Sequence, residues 1–224
     1  MPLPLPLDES LPETLRALHA ANAVGAVVTL DVLGDDRQRF DDVIVGAGFA
    51  RRDGRRVRIE RLRTLPDTVG PGLRLLIVGL NPSVVAADAG FGFAGSTNRC
   101  WSAALEAGIV SAPRDPAAAL AIDCVGMTDL VKRATPRSAE VSADEYRAGA
   151  ARVERLVRWL APAAVCFVGL EGWRVAVDRR ARAGWQAGGF GGQPAYVMPS
   201  TSGLNASARL ADLVGHLQEA SGRA

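Results

Sequence analysis

Lysine is nearly absent from this sequence: of its 26 lysine and arginine residues, Lys132 is the only lysine. Chemistry that runs through a lysine Schiff base therefore has very few places to reside. Replacement of lysine by arginine across a proteome is the simpler account, and a use for bidentate phosphate contacts is the functional one. Cysteine is scarce too. Cys100, Cys124 and Cys166 lie far apart and match no C-x-x-C metal spacing. A disulfide framework would want an even set in a shorter chain, so these read as reduced thiols of a cytoplasmic protein. No apolar run reaches the ~18–20 residues that a membrane span needs. The opening MPLPLPLDES has no basic flank and no long apolar stretch, so a secretory signal is not expected. Charge of one sign is also missing: the formal net charge is only +2, which excludes a strongly basic chain. What remains is ordinary, with 48% hydrophobic and 22% charged residues over 224 positions. Wholesale disorder is excluded, and one compact domain, with or without an appendage, is expected.

No internal repeat is visible. Prolines and glycines punctuate the chain at Pro66-Asp67-Thr68-Val69-Gly70-Pro71-Gly72, and this divides it into an extension, 1–70, and a main domain, 71–220. The extension offers an amphipathic helix at 11–22, an apolar run at 24–33 and a second helix around 38–46. A basic stretch follows, with arginines 51, 52, 55, 56, 58, 61 and 63 against Asp53 and Glu60. It suits a solvated strand or hairpin, or a source of sequence-independent affinity for DNA. Its role is otherwise unassigned.

Beyond residue 70 short apolar runs alternate with helical patterns. Residues 73–78 (LRLLIV) and 163–168 (AAVCFV) each end at a glycine and read as buried parallel strands. Residues 125–131 and 195–198 read as two more. Helices are expected at 97–107, 142–160, 170–182 and 206–220, the second with acids in its first turn and Pro162 just past its end. The alternation predicts an α/β fold of three layers, α/β/α, around a mostly parallel sheet of about four strands. In such sheets a site lies beyond the carboxyl ends of the strands. Two loops of unusual composition leave those ends, 79–96 and 199–205.

The first loop runs Gly79-Leu80-Asn81-Pro82-Ser83, then 84–90, then Phe91-Gly92-Phe93. It is neither G-x-G-x-x-G nor a phosphate-binding loop with glycine-lysine-serine, so a small-molecule enzyme binding a nucleotide loses its main support. The second loop, Met198-Pro199-Ser200-Thr201-Ser202-Gly203-Leu204-Asn205, carries hydroxyls and amides suited to phosphate oxygens near a helix N-terminus. Alone, the first loop reads as a simple turn and the second as a helix-capping loop.

Together they are specific. GLNPSVVAADAGFGFAGSTNRCW and VMPSTSGLNA resemble the two signature motifs of the mismatch-specific uracil/thymine-DNA glycosylase family, in the uracil-DNA glycosylase superfamily. GMTDLVKRATPRSAEVS between them is similar to the family's central segment. The resemblance covers roughly residues 66–217 in order and spacing. It implies a uracil-DNA glycosylase-like fold and a glycosylase that removes uracil, and could remove other damaged pyrimidines, from mispaired DNA.

The resemblance places the asparagine that positions the hydrolytic water on Asn81. Phe93 would stack on the flipped base, and the backbone of Leu80 and of the segment around Phe91 would bind the base's polar edge. The intercalating leucine falls on Leu204, with Ser202 and Gly203 beside it, and Ser200 and Asn205 would contact DNA. Three departures stand out. Ser83 replaces a usual glycine, Pro-Ser-Thr-Ser replaces Pro-Asn-Pro-Ser, and Asn205-Ala206 replaces a serine and an arginine. Asp88 is a fourth, because a carboxylate stands in a stretch that is generally small and neutral. It could accept a proton from water or stabilise a cationic sugar if its loop folds back over the site; otherwise it is a solvated turn residue. His19, His216 and Tyr146 read as packing residues. Arg99, Arg133, Arg137 and Arg209 are candidates for phosphate contacts.

The expected partner is double-stranded DNA with mispaired uracil, with single-stranded DNA a further candidate, bound by a monomer. No metal or organic cofactor is implied, and three scattered cysteines argue against the superfamily's iron–sulfur branch. The alternative on the same fold is a catalytically weak protein that binds DNA damage or single strands.

Overall fold

The computed structural model of the chain describes residues 3–33, 36–52, 54 and 57–222. The first third builds β1 (Leu3–Pro6), α1 (Leu11–Ala21), β2 (Val27–Leu33), α2 (Arg37–Gly46), β3 (Phe49–Arg52) and β4 (Val57–Arg61). Its four strands pair in the order β1-β2-β4-β3. Leu11 and Leu15 on one face of α1 meet Phe40 and Ile44 of α2 and Leu30, Phe49 and Ile59 of the sheet, so the extension has a core of its own. Arg51, Arg52, Arg58 and Arg61 lie on β3 and β4. Asp53, Arg55 and Arg56 fall outside the described residues.

The remainder builds β5 (Leu75–Gly79), α3 (Val84–Ala89), α4 (Cys100–Glu106), α5 (Pro116–Ala121), β6 (Val125–Asp129), α6 (Ala143–Leu160), β7 (Ala164–Val168), α7 (Leu170–Ala176), β8 (Gly184–Phe190), β9 (Gln193–Met198) and α8 (Leu210–Ser221). The strand order is β6-β5-β7-β9-β8. The first four are parallel and β8 joins the edge antiparallel. Successive side chains of the central strands face opposite sides. Leu76, Val78, Val165 and Phe167 pack with Val153 and Leu156 of α6 and Trp173 of α7. Leu75, Ile77, Cys166 and Met198 pack with Trp101 and Ala104 of α4 and Leu213 and Leu217 of α8. This is the three-layer arrangement. The sheet has five strands rather than about four, because Gly184–Phe190, rich in glycine and broken by a register shift, forms a strand only by pairing along β9.

Two features position the site. Helix α6, opened by a reciprocal capping box of Ser142 and Glu145, carries the extension on its outer side. Arg155 clamps Asp42 with bonds of 2.6 and 2.9 Å, and Arg39 lies 5.0 Å over the Trp159 ring, which packs against both cores. Second, the chain leaves β5 toward α4 on one face of the sheet and leaves β6 toward α6 on the other. Adjacent parallel strands whose connections part in this way open a crevice at their carboxyl ends.

Candidate active site

That crevice opens between the last residues of β5 and β6, Gly79 and Asp129, which are direct register partners. A Cβ built on Gly79 would sit 2.3 Å from Asp129 Oδ1 and 3.4 Å from the Phe93 ring. The bare backbone at 79 is what admits the carboxylate and the ring. Pairing continues past the strands, with Leu130 N donating to Gly79 O and Val131 N to Leu80 O, both at 2.9 Å. This brings the 130–137 loop beside Asn81. Asn81 Nδ2 donates to Thr135 Oγ1 at 2.7 Å, to Arg133 O at 3.1 Å and to Pro82 O at 3.2 Å. Three acceptors fix the amide's orientation and leave Oδ1 as its acceptor for another donor. Ser83 has a local use, because its hydroxyl accepts from Ala86 N at 3.1 Å and caps α3.

A cavity of about 200 Å³ fills the crevice, lined by Leu80, Asn81, Phe93, Asp129, Ser202 and Gly203 among others. Phe93 holds a left-handed backbone, φ +58°, which costs a residue with a Cβ about 1–2 kcal/mol. The loop is held in place by Trp101 Nε1, which donates to Gly92 O at 2.8 Å. Phe91 packs against the core on the α4 side instead and does not line the cavity. A somewhat larger groove of about 260 Å³ lies between α2 and α6, but its arginines 39, 155 and 158 are matched by Asp36, Asp42 and Glu154. It is remote from these loops.

The second loop forms the rim. Leu204 is 95% exposed, so it packs against nothing within the fold. Its neighbours are tightly built. Arg99 donates to the carbonyls of Ser202 at 3.0 Å, Asn205 at 2.9 Å and Ala208, while its own N–H donates to Thr201 O at 3.0 Å. Asn205 Nδ2 closes the loop on Ser200 O at 2.9 Å. Ser200 Oγ accepts from Ser202 N at 3.3 Å, so Ser200 and Asn205 both support the loop's own shape. A Cβ at Gly203 would fall 2.4 Å from Thr97 Oγ1, so only glycine brings the rim this close to the first loop.

A model of the uracil DNA glycosylase superfamily matches residues 66–219. The chain belongs to that superfamily. The protein is therefore a DNA glycosylase, a hydrolase of the bond between base and sugar that binds DNA.

The glycosylase cavity holds a carboxylate that sequence reasoning missed and lacks the one it named. Asp88 stands in the last turn of α3, outside the cavity. Arg63 grips it with bonds of 2.8 and 2.6 Å and holds its carboxyl below the ordinary carboxylate range. The structure does not fold this loop residue back over the site, because residues 84–89 form a capped helix that carries it away. Asp129 is in the cavity. Burial pushes its carboxyl up to about 6, against the pull of Lys132, and Asp67 adds to the rise. A sequence signal existed: the apolar run 125–128 ends in an acid just where the parallel run 75–78 ends in a glycine.

Behind Asp129 lies a buried ionic cluster. Lys132 Nζ is 2.7 Å from Asp67 Oδ1 and 3.8 Å from Asp129 Oδ2. Burial works against the Asp67 carboxylate, but Arg152 and Lys132 hold it below its ordinary range. The phosphate-contact candidates divide in the same way. Arg99 is spent on the rim loop, and Arg133 is engaged by Glu145 at 2.6 and 3.0 Å. Arg137 and Arg209 are exposed, the latter 3.7 Å from Asp212. Of the thiols, burial pushes Cys100 up to about 12, so it is no nucleophile. His19 is buried against Phe49, and His216 bonds Tyr196 at 2.6 Å.

Proposed function

We propose that the protein is a monofunctional mismatch-specific uracil-DNA glycosylase that initiates base excision repair on mispaired uracil, acting as a monomer. The observation that carries this reading is the convergence of Asn81, Phe93 and Asp129 on one cavity with Leu204 standing free at its rim. Extruding a base costs a few kcal/mol, least at a mispair, and an apolar side chain pushed into the gap keeps the duplex kinked. Leu204 serves as that wedge. The flipped uracil stacks on Phe93, and backbone groups of Leu80 and its neighbours bind its polar edge.

Asn81 Oδ1 accepts a hydrogen bond from water and holds it under the sugar. As the C1′–N1 bond breaks, its electron pair leaves with the base, and positive charge grows on the sugar. The carboxylate of Asp129 opposes that charge and takes the proton from water as the oxygen bonds to C1′. The proton taken by Asp129 then passes through solvent to the base anion, whose charge is spread over O2 and O4, leaving an abasic site, free uracil and the Asp129 carboxylate restored. A group titrating near 6 is ionised at neutral pH and still basic enough to accept a proton. The reaction stops at hydrolysis because the only lysine of the chain is buried and bonded to Asp67, which withholds the amine that strand cleavage needs.

The test is single-turnover release at saturating enzyme on duplexes carrying uracil, thymine or damaged pyrimidines opposite G and A, with single-stranded controls. Release of uracil opposite G ahead of uracil opposite A, with strands intact until alkali is added, is expected. Tight binding to these duplexes without release would instead make the protein a damage-binding relative.

A further inference from the structure

Residues 1–65 lie outside the superfamily match, yet they pack around Asp67, just inside it, which reaches the cavity's carboxylate through Lys132. Lys132 and Asp67 are each about 6% exposed at the side chain, and Asp129 is 12% exposed. Asp67 is saturated. Oδ1 accepts from Lys132 at 2.7 Å and Thr128 Oγ1 at 2.6 Å, and Oδ2 accepts from Arg152 Nη1 at 2.8 Å. Arg152 Nη2 goes to Thr128 Oγ1 at 3.0 Å and to the backbone carbonyl of Asp129 at 2.8 Å, while its Nε is buried without a hydrogen-bond partner. The bonded nitrogens of Arg152 are therefore turned to Asp67, Thr128 and main chain, and among the described residues Lys132 is the cation within ion-pair range of the Asp129 carboxylate.

Counting charge, Lys132 and Arg152 bring two cations and Asp67 one anion, so the cluster is balanced when Asp129 is ionised. His19 on α1 adds no charge: burial, Arg61 and Lys132 drive its proton off and lower it to about 4. Among the described residues no other charged group faces the cluster from the 91–95 loop or from β5. The extension seals the arrangement. Thr64 donates its hydroxyl to Lys132 O, and Asp67 N donates to Gly46 O at 2.8 Å at the end of α2. A Cβ on Gly46 would lie 2.3 Å from Asp67 Oδ2, so α2 caps the ion pair with bare backbone.

We propose that Lys132 and Asp67 are positioning residues for Asp129: one buried ammonium is shared between two carboxylates, and the hold of Asp67 on it, locked by the extension, sets how readily Asp129 takes a proton from water. This rests on the reading of Asp129 as the base. Charges within such distances in a dry site shift each other's protonation by one unit or more. Removing the cation and removing the competing anion should therefore act in opposite directions.

The experiment is the pH profile of single-turnover uracil release by the full chain, from pH 4.5 to 9. Wild type should lose rate below a midpoint near 6. Lys132→Met should move that midpoint up by about one unit, a roughly tenfold loss on the acid limb. Asp67→Asn leaves Lys132 wholly to Asp129 and should move it down. A role confined to folding would lower the rate at every pH and leave the midpoint in place, and unmoved midpoints in both variants overturn the proposal. Where circular dichroism shows that a single variant does not fold, Asp67→Asn/Lys132→Met leaves Arg152 and Asp129 as a balanced pair. Its midpoint should lie above wild type but below Lys132→Met, and a wild-type midpoint overturns the proposal. Asp129→Asn separates the two readings. If its profile keeps the acid limb, the base is not Asp129. If the limb vanishes there yet stays fixed in the other variants, the base assignment stands and the sharing of Lys132 fails.

Discussion

A carboxylate kept for chemistry should cost the fold something, and Asp129→Asn measures that cost. The folded protein raises this group from 3.8 to about 6, so it binds a proton more tightly than the unfolded chain does. Between those values the folded state carries more protons, and stability falls as pH rises through the window. Above about 6 the whole cost is present: roughly two units at ~1.4 kcal/mol each, or ~3 kcal/mol. Asparagine has nearly the same shape and no charge. At pH 7.5 the variant should therefore be more stable than wild type, by up to ~3 kcal/mol, or about 6–12 °C in Tm for a chain of this size. That figure is an upper bound, because the new amide N–H₂ needs acceptors that Lys132 cannot supply. At pH 4.5 most of the difference should vanish, since wild type is then protonated. Release should meanwhile fall by ~10²–10⁴, the usual share of a positioned base. Thermal melts at the two pH values, read beside single-turnover rates, test both halves. A variant that is inactive and also destabilised at pH 7.5 refutes the reasoning, because Asp129 would then be a counter-ion that the cluster needs for folding.

Leu204→Ala should slow release from duplex more than from single strands, since a wedge matters only where a stack must be opened; equal effects would make Leu204 a bystander. Arg99→Met removes the donors from three rim carbonyls and should weaken duplex affinity at fixed single-strand rate, which a binding titration with both substrates reads out. Asp88→Ala should leave single-turnover chemistry within about twofold and Asn81→Ala should lower it strongly, since Asp88 is bound to Arg63 outside the cavity; a loss of 10² or more in Asp88→Ala would reverse the assignment. In the basic stretch Arg51, Arg52 and Arg63 are paired with Asp41, Glu60 and Asp88, so Arg58→Ala is the informative change. It should flatten the log–log dependence of affinity on salt by about one unit if it meets a phosphate, and an unchanged slope leaves β4 a solvated strand.

Legibility followed the range of the interactions that decide each element. The runs at β5 and β7 are continuous, apolar and closed by glycine, and α6 is announced by the acids of its first turn and by Pro162 just past its end, so pattern alone locates them. β8 could not be read, because Gly184, Gly188 and Gly189 favour no strand until β9 supplies the pairing. α3 does not stand out within the loop 79–96, since six residues behind Asn-Pro carry no helical period and only the Ser83 cap marks it. α8 starts at Leu210 rather than 206 because Arg99 holds the carbonyls that those residues would need for helix. Leu3–Pro6, a strand in parallel pairing with β2, carries no strand pattern in its Pro-Leu alternation, as its prolines suit only an edge.

The two carboxylates show why motif reading reaches one part of a site and misses another. Asn81, Phe93, Ser202 and Gly203 belong to loops whose geometry is local, so a matching string carries a matching shape. Asp88 is near Asn81 in the chain, but one helical turn is enough to carry it to the surface. Asp129 is far away in the chain and becomes a neighbour only when β5 and β6 pair with Gly79 opposite it. No window of sequence contains that pairing, yet it is demanding. A carboxylate needs the space of a missing Cβ at 79, a phenyl ring against the same vacancy and a cation behind it at 132. The end of β5 at Gly79 and the loop at Phe93 provide the first two, and the third depends on Asp67, which α2 of the extension caps. The extension and the cavity therefore meet at one buried charge, which gives the first third of the chain a reason to be packed on α6 rather than tethered beside it.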